Sequence, residues 1–174
     1  KDNLFTSDLA GVDIILDGHA NIFYESNNFS GSSFTISREI RCVDNTFGTN
    51  GQAPHPTTFM LLKGLVMNNR IIANVNSTNV IQVDSENTTS QQSPIVLGNR
   101  FYNTSSIIID SIQGIFSFNH WLTDNTLANA AVTINAGANN NNIAFNVFYN
   151  PHGTGSVTIT DNGTGNNVSS NQTV

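Results

Sequence analysis

Asp84 and Asp110 lie 26 residues apart and end two closely matching runs, VIQVDS and SIIIDS. Two carboxylates held side by side are the machinery of glycoside hydrolysis. A separation of about 5–5.5 Å serves retention and about 6.5–9.5 Å serves inversion. Strands stacked in a repeat supply such spacings, because neighbouring rungs sit about 5 Å apart and alternate rungs about 10 Å. If Asp84 and Asp110 stack, their repulsion raises one pKa and separates an acid from a base. The bland alternative is that both are strand-end turn residues facing solvent in different directions. Glu25, Glu39 and Asp44 form a second acidic group, with Arg38 and Arg41 close by in sequence.

The cations are few, two Lys and four Arg in all. Arg70 and Arg100 each follow an asparagine, Asn69 and Asn99. On adjacent rungs they would form a guanidinium pair able to grip an acidic sugar; salt bridging or a subunit contact is the competing role. His120 and Trp121 lie in the run NHW. An indole offers a flat apolar face with a polar edge, which suits a sugar ring. Trp121 also occupies the slot that Phe47, Ile71, Phe101 and Phe148 fill in similar runs, so core packing is its alternative role. Arg70, Arg100, His120 and Trp121 are the candidate glycan-binding residues.

Other chemistry is poorly supported. His19, His55, His120 and His152 are far apart, without HxH or HExxH spacing, so no metal site is expected. Cys42 is the single cysteine, which excludes an intrachain disulfide and a thiolate zinc site and reads as a small core residue. Neither a G-x-S-x-G elbow nor a phosphate-binding glycine loop opening a helix is present, and no cofactor is expected.

Composition narrows the partners. Charged residues are 10% of the 174, against about 25% in an average protein. Asparagine supplies 28 residues, so the surface is polar but mostly uncharged. A net charge of −6 argues against nucleic acid and an anionic membrane surface. No run is long and apolar enough to insert in a bilayer. Seven Asn-x-Ser/Thr sequons, at Asn28, Asn76, Asn87, Asn103, Asn162, Asn167 and Asn171, are about what so much Asn, Ser and Thr produces by chance. The opening Lys1 and the polar ending GNNVSSNQTV read as a piece of a longer chain.

A repeat positions these residues. Runs of the type VMNNRI, VLGNRF and IAFNVF align on Asn21, Asn45, Asn69, Asn99, Asn119, Asn146 and Asn171, at spacings of 24, 24, 30, 20, 27 and 25. A second series, VIQVDS, SIIIDS, AVTINA and VTITDN, runs in step and places Asp84, Asp110, Asn135 and Asp161 in equivalent positions. A period of 20–30 with two or three short strands per repeat is a solenoid. Within AVTINA, Val132 and Ile134 share one face and Thr133 and Asn135 the other. Helices should be nearly absent, with one short turn allowed in TDNTLANAA at 123–131. Asparagine is a poor strand former, but it tolerates the left-handed conformation of tight corners and can pass its amide from rung to rung.

With this coil length, these V-x-x-N-x-F runs, the Asn/Gly turns and so little lysine, the chain resembles right-handed parallel β-helices of the pectate-lyase-like kind. More narrowly, it resembles bacteriophage tailspikes and tail fibres, over roughly residues 12–174. The resemblance implies a single all-β solenoid domain (1–174) of six or seven coils, assembled as a homotrimer in the virion tail, outside the cell. It implies attachment to bacterial surface polysaccharide, or alternatively depolymerisation of it by a glycoside hydrolase or lyase, and a purely structural shaft is a third possibility. Outward apolar residues, Phe116, Phe118, Phe145 and Tyr149, would be buried at a three-fold interface, and the apolar run DLAGVDIIL would cover one end. Low charge slightly favours uncharged or amine-bearing sugars.

Overall fold

The computed structural model describes residues 3–6, 13–16, 22–31, 33–37, 40–48, 60–73, 80–85, 93–122, 131–150 and 157–174. These residues form three stacks of short parallel strands and no helix. The chain visits the three sheets in strict rotation and winds a right-handed parallel β-helix of about seven coils. The first sheet has eight strands, from Leu4–Thr6 to Gln172–Thr173. The second has seven, from Asp13–Leu16 to Thr158–Asp161, and the third seven, from Ile22–Glu25 to Asn167–Ser169. The expected turn at 123–131 falls mostly outside the described residues; Ala131 begins the strand Ala131–Ile134. The run DLAGVDIIL does not cap the coil where it is described, because Asp13–Leu16 is itself the first strand of the second sheet.

Strands this short persist because alternation puts one side chain in two inside, where identical positions stack. Down the first sheet the inward column is Phe5, Phe29, Phe47, Ile71, Phe101, Trp121 and Phe148. Phe5, Phe29 and Phe47 stack face to face with centroids 4.8 and 4.7 Å apart, the spacing of the rungs themselves. The second sheet contributes Met60, Ile81, Ile107 and Val132 in one column and Leu62, Val83, Ile109 and Ile134 in the next, all buried. Val132 and Ile134 point inward and Thr133 and Asn135 are half-buried, as the alternation requires.

The corner between the third and first sheets is built on an unbroken asparagine ladder. Asn3, Asn27, Asn45, Asn69, Asn99, Asn119, Asn146 and Asn171 each follow the last, at intervals of 24, 18, 24, 30, 20, 27 and 25 residues. Each Asn from Asn3 to Asn146 donates from its backbone N–H and from Nδ2 to the Oδ1 of the Asn one rung on; Asn69, for example, reaches Asn99 at 2.9 and 3.0 Å. The other Nδ2 hydrogen caps a backbone carbonyl inside the coil, such as Asn99 to Val66 at 2.9 Å. Six members, Asn27 to Asn146, are at most 2% exposed, so the amide replaces water for groups that strand pairing leaves over.

The ladder differs from expectation in two ways. Its member in the early coil is Asn27; Asn21, expected there, lies outside the described residues. The left-handed residue is not the ladder Asn but the residue before it. Ser26, Asp44, Asn68, Gly98, Phe118, Phe145 and Ser170 all have φ between 53° and 64°. The amide geometry selects Asn; the turn is made one place earlier by whatever residue stands there.

Cys42 lies wholly inside the third sheet, and burial pushes its thiol up to about 12 from 9.0. The unfolded thiol ionises first, so the unfolded state holds fewer protons between pH 9 and 12 and stability falls as pH rises through that window. In a thiol-disulfide exchange assay near neutral pH, Cys42 should stay unreactive in the native protein and react fully in denaturant.

Candidate glycan-binding face and acidic column

Strand register decides which candidates meet. On the outward side of the first sheet, Arg70 pairs with Arg100 and Arg100 with His120, so three cationic or titratable side chains occupy successive rungs. All three are exposed. They continue downward to Thr46 and Asn28 and upward to Val147. The parallel outward column, two residues on, is Ser30, Gly48, Ile72, Tyr102, Leu122 and Tyr149. The guanidinium of Arg70 lies 5.4 Å from the centroid of the Tyr102 ring, a cation–π contact that holds one arm of the column against an aromatic neighbour. The side chains of Arg100 and His120 have no hydrogen-bond or ion-pair partner among the described residues. Two of the six Lys and Arg residues thus stand together on one flank of an acidic protein.

Trp121 does not join them. It follows His120 and therefore points inward, where it is fully buried. Its ring meets Phe148 edge-on at 5.8 Å and its Nε1–H donates to the carbonyl and hydroxyl oxygens of Thr104. No face of the indole is left for a sugar, so Trp121 leaves the binding set and joins the core.

Asp84 and Asp110 do stack: they are register partners at the ends of Val80–Asp84 and Ser106–Asp110. Both are half-buried. Extending the pairing of Leu62 with Val83 by one residue sets Lys63 beside Asp84. Extending those of Ile109 with Ile134 and of Ile134 with Asp161 adds Asn135 and then Asn162 to the column. Asp161 therefore stands one place out of line; its Oδ1 instead accepts from Gly163 N–H and Asn166 Nδ2, each at 2.9 Å. Asp110 is closely held: Asn135 Nδ2 donates to Oδ1 at 2.6 Å and Gln82 Nε2 to Oδ2 at 2.9 Å. Each of its oxygens thus accepts one hydrogen bond, from Asn135 on the next rung and from Gln82 on the rung of Asp84. Lys63 and Asp84 are engaged as well.

Of the second acidic group, Glu25 ends a strand of the third sheet and Asp44 occupies a left-handed corner one rung on; Glu39 and Arg38 lie outside the described residues. No group of three His, Cys, Asp or Glu that could hold a metal occurs among the described residues.

Two further features carry no sequence motif. On the third sheet, Val43, Met67 and Leu97 form one outward column and Leu65, Ile95 and Ile115 the neighbouring one, a half-buried apolar patch of six side chains. Beside it, the corner residues Phe118 and Phe145 are 64% and 54% exposed, with rings stacked at 5.1 Å and 9°. Phe116, expected outside, is buried, because it is the inward middle residue of the strand Ile115–Ser117, in register with buried Val96 and Ile143. Placing Phe in the left-handed region costs about 1–2 kcal/mol, against about 0.5–1.5 kcal/mol from stacking two rings. These exposed aromatics are thus an expensive choice at positions where Gly98 and Asn68 make the same turn.

No protein-family model, curated protein or solved structure matches this chain.

Proposed function

We propose that this chain is a segment of a bacteriophage tailspike or tail fibre that attaches to bacterial surface polysaccharide. The observation that carries the reading is the exposed Arg70–Arg100–His120 column on a rigid β-helix whose remaining surface is largely amide and hydroxyl. Such a face offers sugars many neutral hydrogen-bond partners and one short cationic strip. The apolar patch around Met67 and Leu97 suits burial against further copies of the chain, in keeping with a homotrimer on the outside of the virion.

The test is retention of purified bacterial surface polysaccharides on immobilised protein, with the solution mass measured by light scattering. The Arg70→Ala/Arg100→Ala protein should keep its melting temperature and lose about tenfold or more in affinity for a retained polysaccharide. Retention unchanged by the double substitution would move the site off this face. A mass near that of one 18.8 kDa chain would remove the trimer.

The register of Asp84 with Asp110 supports a second reading, a polysaccharide depolymerase. It demands new reducing ends or unsaturated sugars in the retained glycan, and their loss in Asp84→Asn/Asp110→Asn. Since both oxygens of Asp110 are engaged, the expected outcome is retention without cleavage.

A further inference from the structure

The corner column Asn68, Gly98, Phe118, Phe145, Ser170 contains one place where a ring is missing. Phe118 and Phe145 lie flat against each other at close to the rung spacing. Each has a rung on either side, so the end effect that exposes Phe5, the first member of the inward column, does not explain them. One face of Phe118 is covered by Phe145. The opposite face looks toward Gly98, which has no side chain. A Cβ added at Gly98 would lie 2.6 Å from Asn68 Oδ1, so the Asn68 amide already reaches toward the floor of that gap. Asn68 is exposed, and its side-chain amide has no hydrogen-bond partner among the described residues. Arg100 follows Gly98 by two residues, on the adjoining edge of the first sheet.

We propose that the gap over Gly98 is a subsite for one pyranose ring, stacked on Phe118 as the next member of the aromatic column and hydrogen-bonded at its edge by Asn68. It deepens the glycan-recognition reading and rests on it. A pyranose has an apolar C–H face to lay on an aromatic ring and hydroxyls around its rim, and this gap offers an aromatic wall opposite an amide. A purely aromatic ligand would gain the wall but leave Asn68 unanswered. Gly98 is the one residue of the column between Phe118 and Asn68, and it has no side chain. The left-handed Phe residues make sense on the same terms: the corner projects their rings to solvent, where a core position would bury them.

The experiment uses the methyl pyranosides of glucose, galactose, mannose and N-acetylglucosamine as probes, read by the ring-proton resonances of Phe118 and Phe145. At least one pyranoside should shift the Phe118 resonances. Gly98→Asn keeps a residue tolerant of positive φ while filling the gap, and should abolish that shift. Phe118→Asn/Phe145→Asn should weaken a retained polysaccharide about tenfold while leaving the melting temperature unchanged or higher, because a strained corner is relieved. A fall in melting temperature alongside binding would make the ring pair structural and sink the subsite. So would dissolution of an assembly by the same variant, which would place the rings between copies. Polysaccharide retention that depends on Arg70 and Arg100 but survives Gly98→Asn would refute the subsite and leave the glycan reading standing. No retention of any polysaccharide by the wild-type chain would refute both.

Discussion

Asn99→Ala should cost about 3–5 kcal/mol, enough to remove much of an ordinary domain's stability. The Asn99 side chain makes four hydrogen bonds in full burial. Oδ1 accepts from Asn69 N–H and Asn69 Nδ2, and Nδ2 donates to Val66 O and Asn119 Oδ1. Alanine removes one side chain and takes the acceptor from Asn69 N–H and Nδ2 and a donor from the Val66 carbonyl, while Asn119 Oδ1 keeps only the backbone N–H of residue 99. Thermal melting should show a fall of about 10 °C. Asn28→Ala, at an exposed strand position one residue beyond the ladder, should stay within about 0.5 kcal/mol of wild type. Asn99→Asp is the sharper variant. It keeps the shape and the acceptor but sets an oxygen 2.9 Å from the Val66 carbonyl in place of a donor. Only a protonated carboxyl can bond there, so its folded pKa must rise above the unfolded value of about 3.9. The contribution is then present at low pH and lost as pH rises through the folded pKa. Asn99→Asp should therefore melt nearest to wild type in acid and fall away toward neutrality. Equal melting curves for Asn99→Ala and Asn28→Ala would mean the ladder carries no such weight.

The ladder also shows how far a single sequence can be read. The repeat was visible because stacking demands the same residue type at the same corner of every coil. Register followed from it: Arg70 beside Arg100 and Asp84 beside Asp110 need only the count from one strand position to the next. Counting fails where coil length changes. The run NIFYESNNF holds two asparagines followed two residues later by Phe, Asn21 and Asn27. A regular period favours the first, yet the rung closes with an 18-residue coil on Asn27. Nothing local separates the two; the stacked amides do. A one-place shift in register separates Asp161 from the acidic column, where Asn162 belongs. The left-handed column was hidden for another reason. Propensity points to Asn and Gly at positive φ, and no propensity would nominate Phe118 or Phe145.

The acidic column bears on function through the same accounting. A catalytic pair needs carboxylates with open oxygens facing a substrate channel. Asp110 is tied instead to Gln82 and Asn135, and the column runs from Lys63 through two acids to amides. That arrangement spreads and neutralises charge along one edge of a sheet, as a stacked repeat must when like residues recur every rung. The exposed cations on the first sheet are not drawn into such a column of carboxylates and amides, which is why the proposed recognition is assigned to them.

Trp121→Ala should be as damaging as any ladder substitution, at about 3–5 kcal/mol, while Trp121→Phe should fold and bind as wild type does. The inward column of the first sheet already accepts Phe on the rungs either side, at Phe101 and Phe148, so a smaller aromatic repeats what its neighbours do. What Phe cannot do is donate to Thr104, whose buried carbonyl and hydroxyl oxygens then lose that donor, and the loss should be about 1–2 kcal/mol. Because Trp121 is the only tryptophan, its emission reports the interior directly. It should be blue-shifted in the native protein, shift to the red on unfolding, and stay unmoved when a polysaccharide is bound. A sugar stacked on the indole would change that emission on binding, and Trp121→Phe would then lose affinity without losing stability. Such a pair of results would require the inward side of the first sheet to open, against the hydrogen bond and the edge-on Phe148 contact that close it. Unchanged emission with retained binding would instead leave recognition to side chains on the outside of the coil, such as Arg100 and His120, on the other side of the sheet from Trp121.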